Sequence, residues 1–133
     1  MNATRILRVG DIMRTEVYTI EGLATVSEAM AVMRRHRVSS LVVPRRDAAD
    51  EFGLILVSDI AGRVIAENRS PDRVNVYEVM SKPVLTLASE MQVRYAVRLL
   101  VRFGVSRAVV VDHDRNPVGI ATLRDLVLGH GPE

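Results

Sequence analysis

Val9-Gly10-Asp11-Ile12-Met13 returns 67 positions later as Val76-Tyr77-Glu78-Val79-Met80. The same offset sets Val17 and Thr19 on Val84 and Thr86, Val26 and Ala29 on Val93 and Ala96, and Val38-Ser39 on Val105-Ser106. After the next loop the offset becomes 66, and Gly53 and Asp59 fall on Gly119 and Asp125. A one-residue change is what a surface loop tolerates. The chain is therefore one structural unit built twice and expected to pack against itself. Any ligand is expected in the cleft between the copies, where pockets preferentially form.

Each copy runs to roughly sixty residues, which is marginal for a domain standing alone, so the copies are expected to need each other. A hydrophobic fraction of 48% argues against disorder. Aromatics are only 4%, so the core must come from Val, Ile, Leu, Met and Ala. Cysteine is absent, which excludes disulfides, iron–sulfur clusters and a cysteine nucleophile. The net charge of +2 gives no basic stripe of the kind nucleic-acid binders carry. Arg34, Arg35 and Arg37 cluster at the end of an expected helix, where they complement its dipole. No apolar stretch approaches the ~20 residues that span a bilayer. The opening Met1–Arg5 has no signal-peptide apolar region, and the expectation is a soluble cytoplasmic protein.

The periodicity predicts the same elements in each copy. After a short lead-in over residues 4–8, a candidate strand, Val9–Met13 reads as one helical turn. Val17–Ile20 alternates in the strand period. Thr25-Val26-Ser27-Glu28 is a capping box opening a helix with Val26, Ala29, Met30 and Met33 on one face. Val38–Val43 and Phe52–Val57 read as strands around a polar loop, and Asp59–Glu67 as a second helix. In the second copy, Val84–Leu87, Val105–Val111 and Val118–Thr122 are strands. Met91–Phe103 and Leu123–Leu128 are helices, the first entered through a second capping box at Ser89–Gln92. Glu67–Arg73 carries turn residues and no apolar period, so it is a linker. Asp112–Pro117 is a turn by composition, and the tail His130–Glu133 is expected to be loose. Each copy thus reads β–α–β–β–α. The runs Val38–Val43 and Val105–Val111 are apolar on both faces, which predicts burial between layers.

In this order, twice, the features resemble a tandem pair of CBS domains, the Bateman module, over about residues 9–129. Asp11-Ile12-Met13 and Glu78-Val79-Met80 resemble the family's opening Met turn. Val17-Tyr18-Thr19 and Val84-Leu85-Thr86 resemble its first strand, and Val105–Asp112 its central strand. Gly119-Ile120-Ala121-Thr122-Leu123-Arg124-Asp125 resembles its closing motif, Gly-x-x-Thr/Ser-x-x-Asp. The resemblance implies an α+β fold of two β-α-β-β-α repeats, residues 9–66 and 76–129, joined by the linker 67–75. The repeats are expected to be related by a pseudo-two-fold axis and packed through their sheets. It also implies a non-enzymatic regulatory module that binds AMP, ADP or ATP, or alternatively S-adenosylmethionine or NAD, between the repeats. Such pairs assemble as flat dimers and report binding to an attached or partner protein. This chain shows no effector domain, so a separate effector protein is expected.

A nucleotide sets requirements that the residues can be held against. A carboxylate accepts from both vicinal ribose hydroxyls. Phosphates need Arg, hydroxyl or amide donors. The resemblance assigns Asp125 to the ribose, places Thr122 to bond ribose or phosphate, and gives Arg107 to phosphate. Asp125 with Thr122 equally fits a helix N-cap, and Arg107 equally fits a solvated strand edge. Ser106 and its counterpart Ser39 either face phosphate or allow close packing. Thr86 and Thr19 either line the base slot or are ordinary strand threonines. Asp59 matches Asp125, but Leu56 stands in place of Thr122 and Ser40 in place of Arg107, so the first copy departs from the pattern. One strong site per chain is the expectation. His36, His113 and His130 share no helix face, and neither a metal set nor a Ser/His/Asp arrangement can be assembled. Three other classes compete with a nucleotide sensor. A structural or interaction module with degenerate clefts is favoured by Leu56. A DNA-binding regulator rests on the arginines alone, and an enzyme lacks a visible nucleophile.

Overall fold

The computed structural model describes residues 6–129; the expected loose tail at 130–133 and the start of the lead-in lie outside the described residues. The fold is α+β, with helices α1 (Val9–Ile12), α2 (Val26–His36), α3 (Val57–Ile60), α4 (Val93–Phe103) and α5 (Leu123–Leu128). The strands are β1 (Ser40–Val43), β2 (Gly53–Leu56), β3 (Thr86–Ala88), β4 (Arg107–Val111) and β5 (Pro117–Thr122). Packing divides the chain into two units, one made of residues 18–84 and the other of residues 6–17 with 85–129.

In the continuous unit, β1 and β2 form an antiparallel pair with Ser40 opposite Leu56. Helix α2 begins where the sequence says it should. Thr25 accepts from the Glu28 amide at 3.1 Å, and the Glu28 carboxylate accepts from the Thr25 amide at 3.3 Å. It ends at Arg37 in a left-handed conformation, with Arg34, Arg35 and His36 in the last turn. Val26, Ala29 and Met33 pack with Leu41, Val43, Ile55, Ile60, Val64, Val76 and Val79 in one apolar core.

The second unit has the strand order β3-β4-β5, β3 parallel and β5 antiparallel to β4, with Arg107 opposite Thr122. Its core joins Val9 and Leu87 to Val93, Ala96 and Leu100 of α4, and to Ala108, Val110, Ala121 and Leu126. Three consecutive residues in β1 and three in β4 are buried, so both faces of these strands are covered as their composition predicts. Of the apolar α4 residues, Val93, Ala96 and Leu100 face this core, whereas Val101 is exposed.

The opening turn of each period is used in the unit built from the other period. Val9 and Gly10 donate to the carbonyls of Met91 and Ser89, each at 2.8 Å. Val76 and Tyr77 donate to Ala24 and Gly22 at 2.8 and 3.0 Å. The acid of each turn accepts from the amide before it, Asp11 from Arg8 at 2.9 Å and Glu78 from Asn75 at 2.8 Å. Downstream, Arg14 and Ile120 exchange both backbone bonds at 2.9 Å, and so do Ser81 and Leu54. These equivalences repeat the offsets read from the sequence.

Three expectations are corrected. Val17–Ile20 is not a strand but a single bridge, Thr19 to Val42, because the segment makes only two backbone bonds to Val42, whose amide donates to the Tyr18 carbonyl and whose carbonyl accepts from the Ile20 amide. Ser89–Gln92 forms no capping box. Gln92 is the N-cap without a side-chain bond, and α4 is held at its start by the Val93 amide donating to Leu7 at 2.9 Å. The helix expected over Asp59–Glu67 starts earlier, at Val57, because Asp59 accepts from the Leu56 amide. It then widens into a π-turn over Ala61–Ile65, with Ala66 donating to Ala61, five residues back, at 2.8 Å.

Candidate functional site

Strand β5 runs straight into α5, and β4 lies beside it, so their junction gathers side chains that are distant in sequence. The Leu123 amide donates to the Ser106 carbonyl at 2.7 Å, which ties the start of α5 to the start of β4. The cross-strand pair Arg107–Thr122 sits next to that tie. Ser106, Arg107, Thr122, Leu123, Arg124, Val127 and Leu128 line a cleft of about 490 Å³. Arginines and hydroxyls supply hydrogen-bond donors, and Leu123, Val127 and Leu128 supply an apolar wall.

Asp125 stands at the third position of α5. Its amide donates to Thr122 Oγ1 at 3.0 Å, so the cap is the threonine and not the aspartate. The carboxylate is held chiefly by Arg14, with the Thr122 side chain as a lesser partner. Oδ2 accepts from Arg14 Nε at 2.8 Å, and Oδ1 accepts from an Arg14 terminal nitrogen at 3.5 Å. The Arg14 bond holds the Asp125 carboxyl below the usual carboxylate range, against the opposing pull of burial. Arg107 is half-buried. Burial lowers its pKa, the charge of Asp125 acts in the other direction, and Arg14 adds to the lowering. A guanidinium remains charged through such a shift.

Of the residues singled out from sequence, Ser106, Arg107 and Thr122 meet in the cleft, with Asp125 close enough to act on the charge of Arg107. Thr86 is in the same unit but pairs with Val109 and is not among the residues lining the cleft. Thr19, Ser39 and Asp59 belong to the other unit, where Thr19 and Ser39 are exposed. Asp59 accepts from the Leu56 amide at 2.9 Å and acts there as a helix cap. The pocket beside that helix, about 270 Å³, is lined by Met30, Met33, Val57, Ile60, Ala61 and Ile65, with Arg34 as its single charge. Sequence reasoning missed Arg14. The signal was available in the repeat, since Arg14 falls on Ser81, an unlike pair immediately after the matched methionines.

A family model described as CBS domain matches residues 9–65 and again 76–128. The chain belongs to the CBS domain family. As a CBS pair it is 32% identical over 123 residues to the uncharacterized protein MK0525 of Methanopyrus kandleri, covering 92% of this chain and 62% of that one. It spans less than two thirds of the length of several relatives. Among solved structures, the pair resembles a hexameric CBS-CP12 protein from bloom-forming cyanobacteria at a TM-score of 0.91 and 30% identity, covering 98% of this chain and 78% of that one. It also resembles the CBS domain pair of protein MJ0100, solved in complex with 5'-methylthioadenosine and S-adenosyl-L-methionine. There the TM-score is 0.78 and the identity 26%, with 93% and 95% of the two chains covered. Among the described residues of this pair, no helix is long and apolar enough to cross a membrane, and no group of three His, Asp or Glu is placed to hold a metal ion.

Proposed function

We propose that the chain is a non-enzymatic regulatory module of the cytoplasm that binds an adenosine-containing ligand of the AMP, ADP or ATP class in its second copy. The observation that carries this reading is the meeting of Ser106, Arg107 and Thr122 on one cleft, with Asp125 beside them. The carboxylate accepts from the two ribose hydroxyls, the arginines and hydroxyls donate to phosphate, and the apolar wall covers the base. That the MJ0100 pair was solved with two adenosine-derived ligands supports the ligand class. Arg107 and Arg124 on the cleft favour an anionic phosphate over the sulfonium of S-adenosylmethionine. Leu56 and the apolar pocket of the other unit support one tight site per chain. The module would act by binding one conformation better than another, since only differential affinity transmits a signal, and its output goes to a separate effector protein. The exposed Val101 and Phe103 at the end of α4 support assembly as a homodimer.

The test is mass spectrometry of small molecules retained by the purified protein, followed by calorimetry with the nucleotides found. The expected result is an adenine nucleotide bound once per chain, and a dimer by light scattering. Two equal tight sites per chain would remove the assignment to the second copy, and binding of no adenosine compound would leave a structural module.

A further inference from the structure

Arg14 is not one of the residues that the nucleotide reading calls on, yet it holds the group that reading needs most. Its guanidinium reaches both carboxylate oxygens of Asp125, at 2.8 and 3.5 Å. Those oxygens are the acceptors a ribose diol would use. The Arg14 backbone is fixed by its two bonds to Ile120, two residues before Thr122. Its side chain is 67% exposed, whereas that of Asp125 is 18% exposed. The arginine can therefore leave the carboxylate for water without unfolding anything, and the carboxylate stays where it is.

The repeat supplies an internal control. Ser81 makes with Leu54 the same backbone exchange that Arg14 makes with Ile120. No arginine arises at that point, and the equivalent acid, Asp59, turns to the Leu56 amide at 2.9 Å. The copies differ here both in Arg14 for Ser81 and in Thr122 for Leu56, and only the acid facing the arginine is held by a guanidinium.

We propose that Arg14 is an internal competitor of the ligand, holding the Asp125 oxygens that the ribose requires, so that binding must displace it and Arg14 sets the affinity of the site. This rests on the assignment of Asp125 to the ribose. An ion pair with one partner this exposed shifts an equilibrium by about 1.5- to 5-fold.

The experiment is calorimetric titration of the full chain and of Arg14→Gln with adenosine and, separately, with AMP, alongside thermal melts. Adenosine carries no phosphate, so it reports on the carboxylate alone. Adenosine is expected to bind Arg14→Gln about 1.5- to 5-fold tighter than the parent. Arg14→Lys, which keeps the charge but loses the planar fork, is expected to fall between. If adenosine binds the parent and Arg14→Gln equally, or binds the variant more weakly, the competition is overturned and the nucleotide reading stands. Loss of AMP affinity with unchanged adenosine affinity overturns it as well, because Arg14 is then a phosphate contact. If neither compound binds either protein, the nucleotide reading falls and the competitor falls with it.

Discussion

Replacing Gly119 by alanine probes the docking that builds the second-copy site. A Cβ there stands 2.5 Å from Met13 Sδ, 3.0 Å from Met13 Cγ and 2.9 Å from the Arg14 carbonyl oxygen. The thioether is the far end of a flexible side chain and can swing away. The carbonyl cannot, because it is bonded at 2.9 Å to the Ile120 amide next to the substitution. Overpacking of this kind costs about 1–3 kcal/mol. Alanine in place of a strand glycine returns about 0.5–1 kcal/mol. At the middle of these ranges the net expectation is a loss of about 1 kcal/mol, or roughly 3–6 °C in Tm for a chain of this size. Gly53 is the matched control. A Cβ there meets Met80 Sδ at 2.7 Å, but Val43 Cβ only at 3.3 Å and the Ser81 carbonyl at 3.4 Å. Gly53→Ala is therefore expected to melt above Gly119→Ala. Calorimetric melts of the parent and both variants make the comparison. A Gly119→Ala protein as stable as the parent, or less stable only by as much as Gly53→Ala, would refute the docking argument.

Thr122→Val removes the oxygen that caps α5 and is expected to cost about 1 kcal/mol of stability, read from urea unfolding. Asp125→Asn weakens an ion pair whose arginine is largely exposed and keeps an acceptor in place, so its stability should change by less than about 1 kcal/mol. It should nevertheless weaken AMP by roughly 10- to 150-fold, and a variant that binds AMP like the parent removes the ribose assignment. Asp50 accepts from Arg46 Nε at 2.9 Å and from Lys82 Nζ at 2.8 Å. These bonds, Arg46's first, hold its carboxyl well below the usual range. A depressed carboxyl stabilises the fold above its unfolded pKa of about 3.9, and that stabilisation is lost as pH falls toward the folded value. Melts of the parent and Asp50→Asn across pH should show a gap at pH 7 that narrows below about pH 4. A gap unchanged down to pH 2 contradicts the ion-pair account.

The repeat made much of this fold legible. Glycines 53 and 119 and aspartates 59 and 125 stand out because they recur at one offset, and the register pairs Ser40–Leu56 and Arg107–Thr122 fall where that offset puts them. The Thr25 capping box was legible because both halves of it lie within one turn. Ser89–Gln92 misled for the converse reason: its composition fits a cap, but a backbone bond from Val93 to Leu7, far upstream in the chain, holds the helix start. The π-turn at Ala61–Ile65 escaped because apolar spacing does not separate a hydrogen bond to the fourth residue back from one to the fifth. Arg14 escaped because its partner is 111 positions away and charge alone does not choose one carboxylate among many.

The crossing of the opening turns also orders events in time. A chain leaves the ribosome from its first residue, at about 5–20 residues per second. Residues 18–84 hold every part of the continuous unit, so that unit is complete while the rest is still being made. Residues 6–17 are made before that unit, yet their strand partner, Ile120, is made after it. For about 5–20 seconds the nascent protein carries a short apolar segment, Val9 and Ile12 within it, whose place does not yet exist. Residues 6–17 are thus folded later than the residues 18–84 that are made after them. A pause or a truncation before β5 would strand them, Arg14 included, away from the site they help to shape.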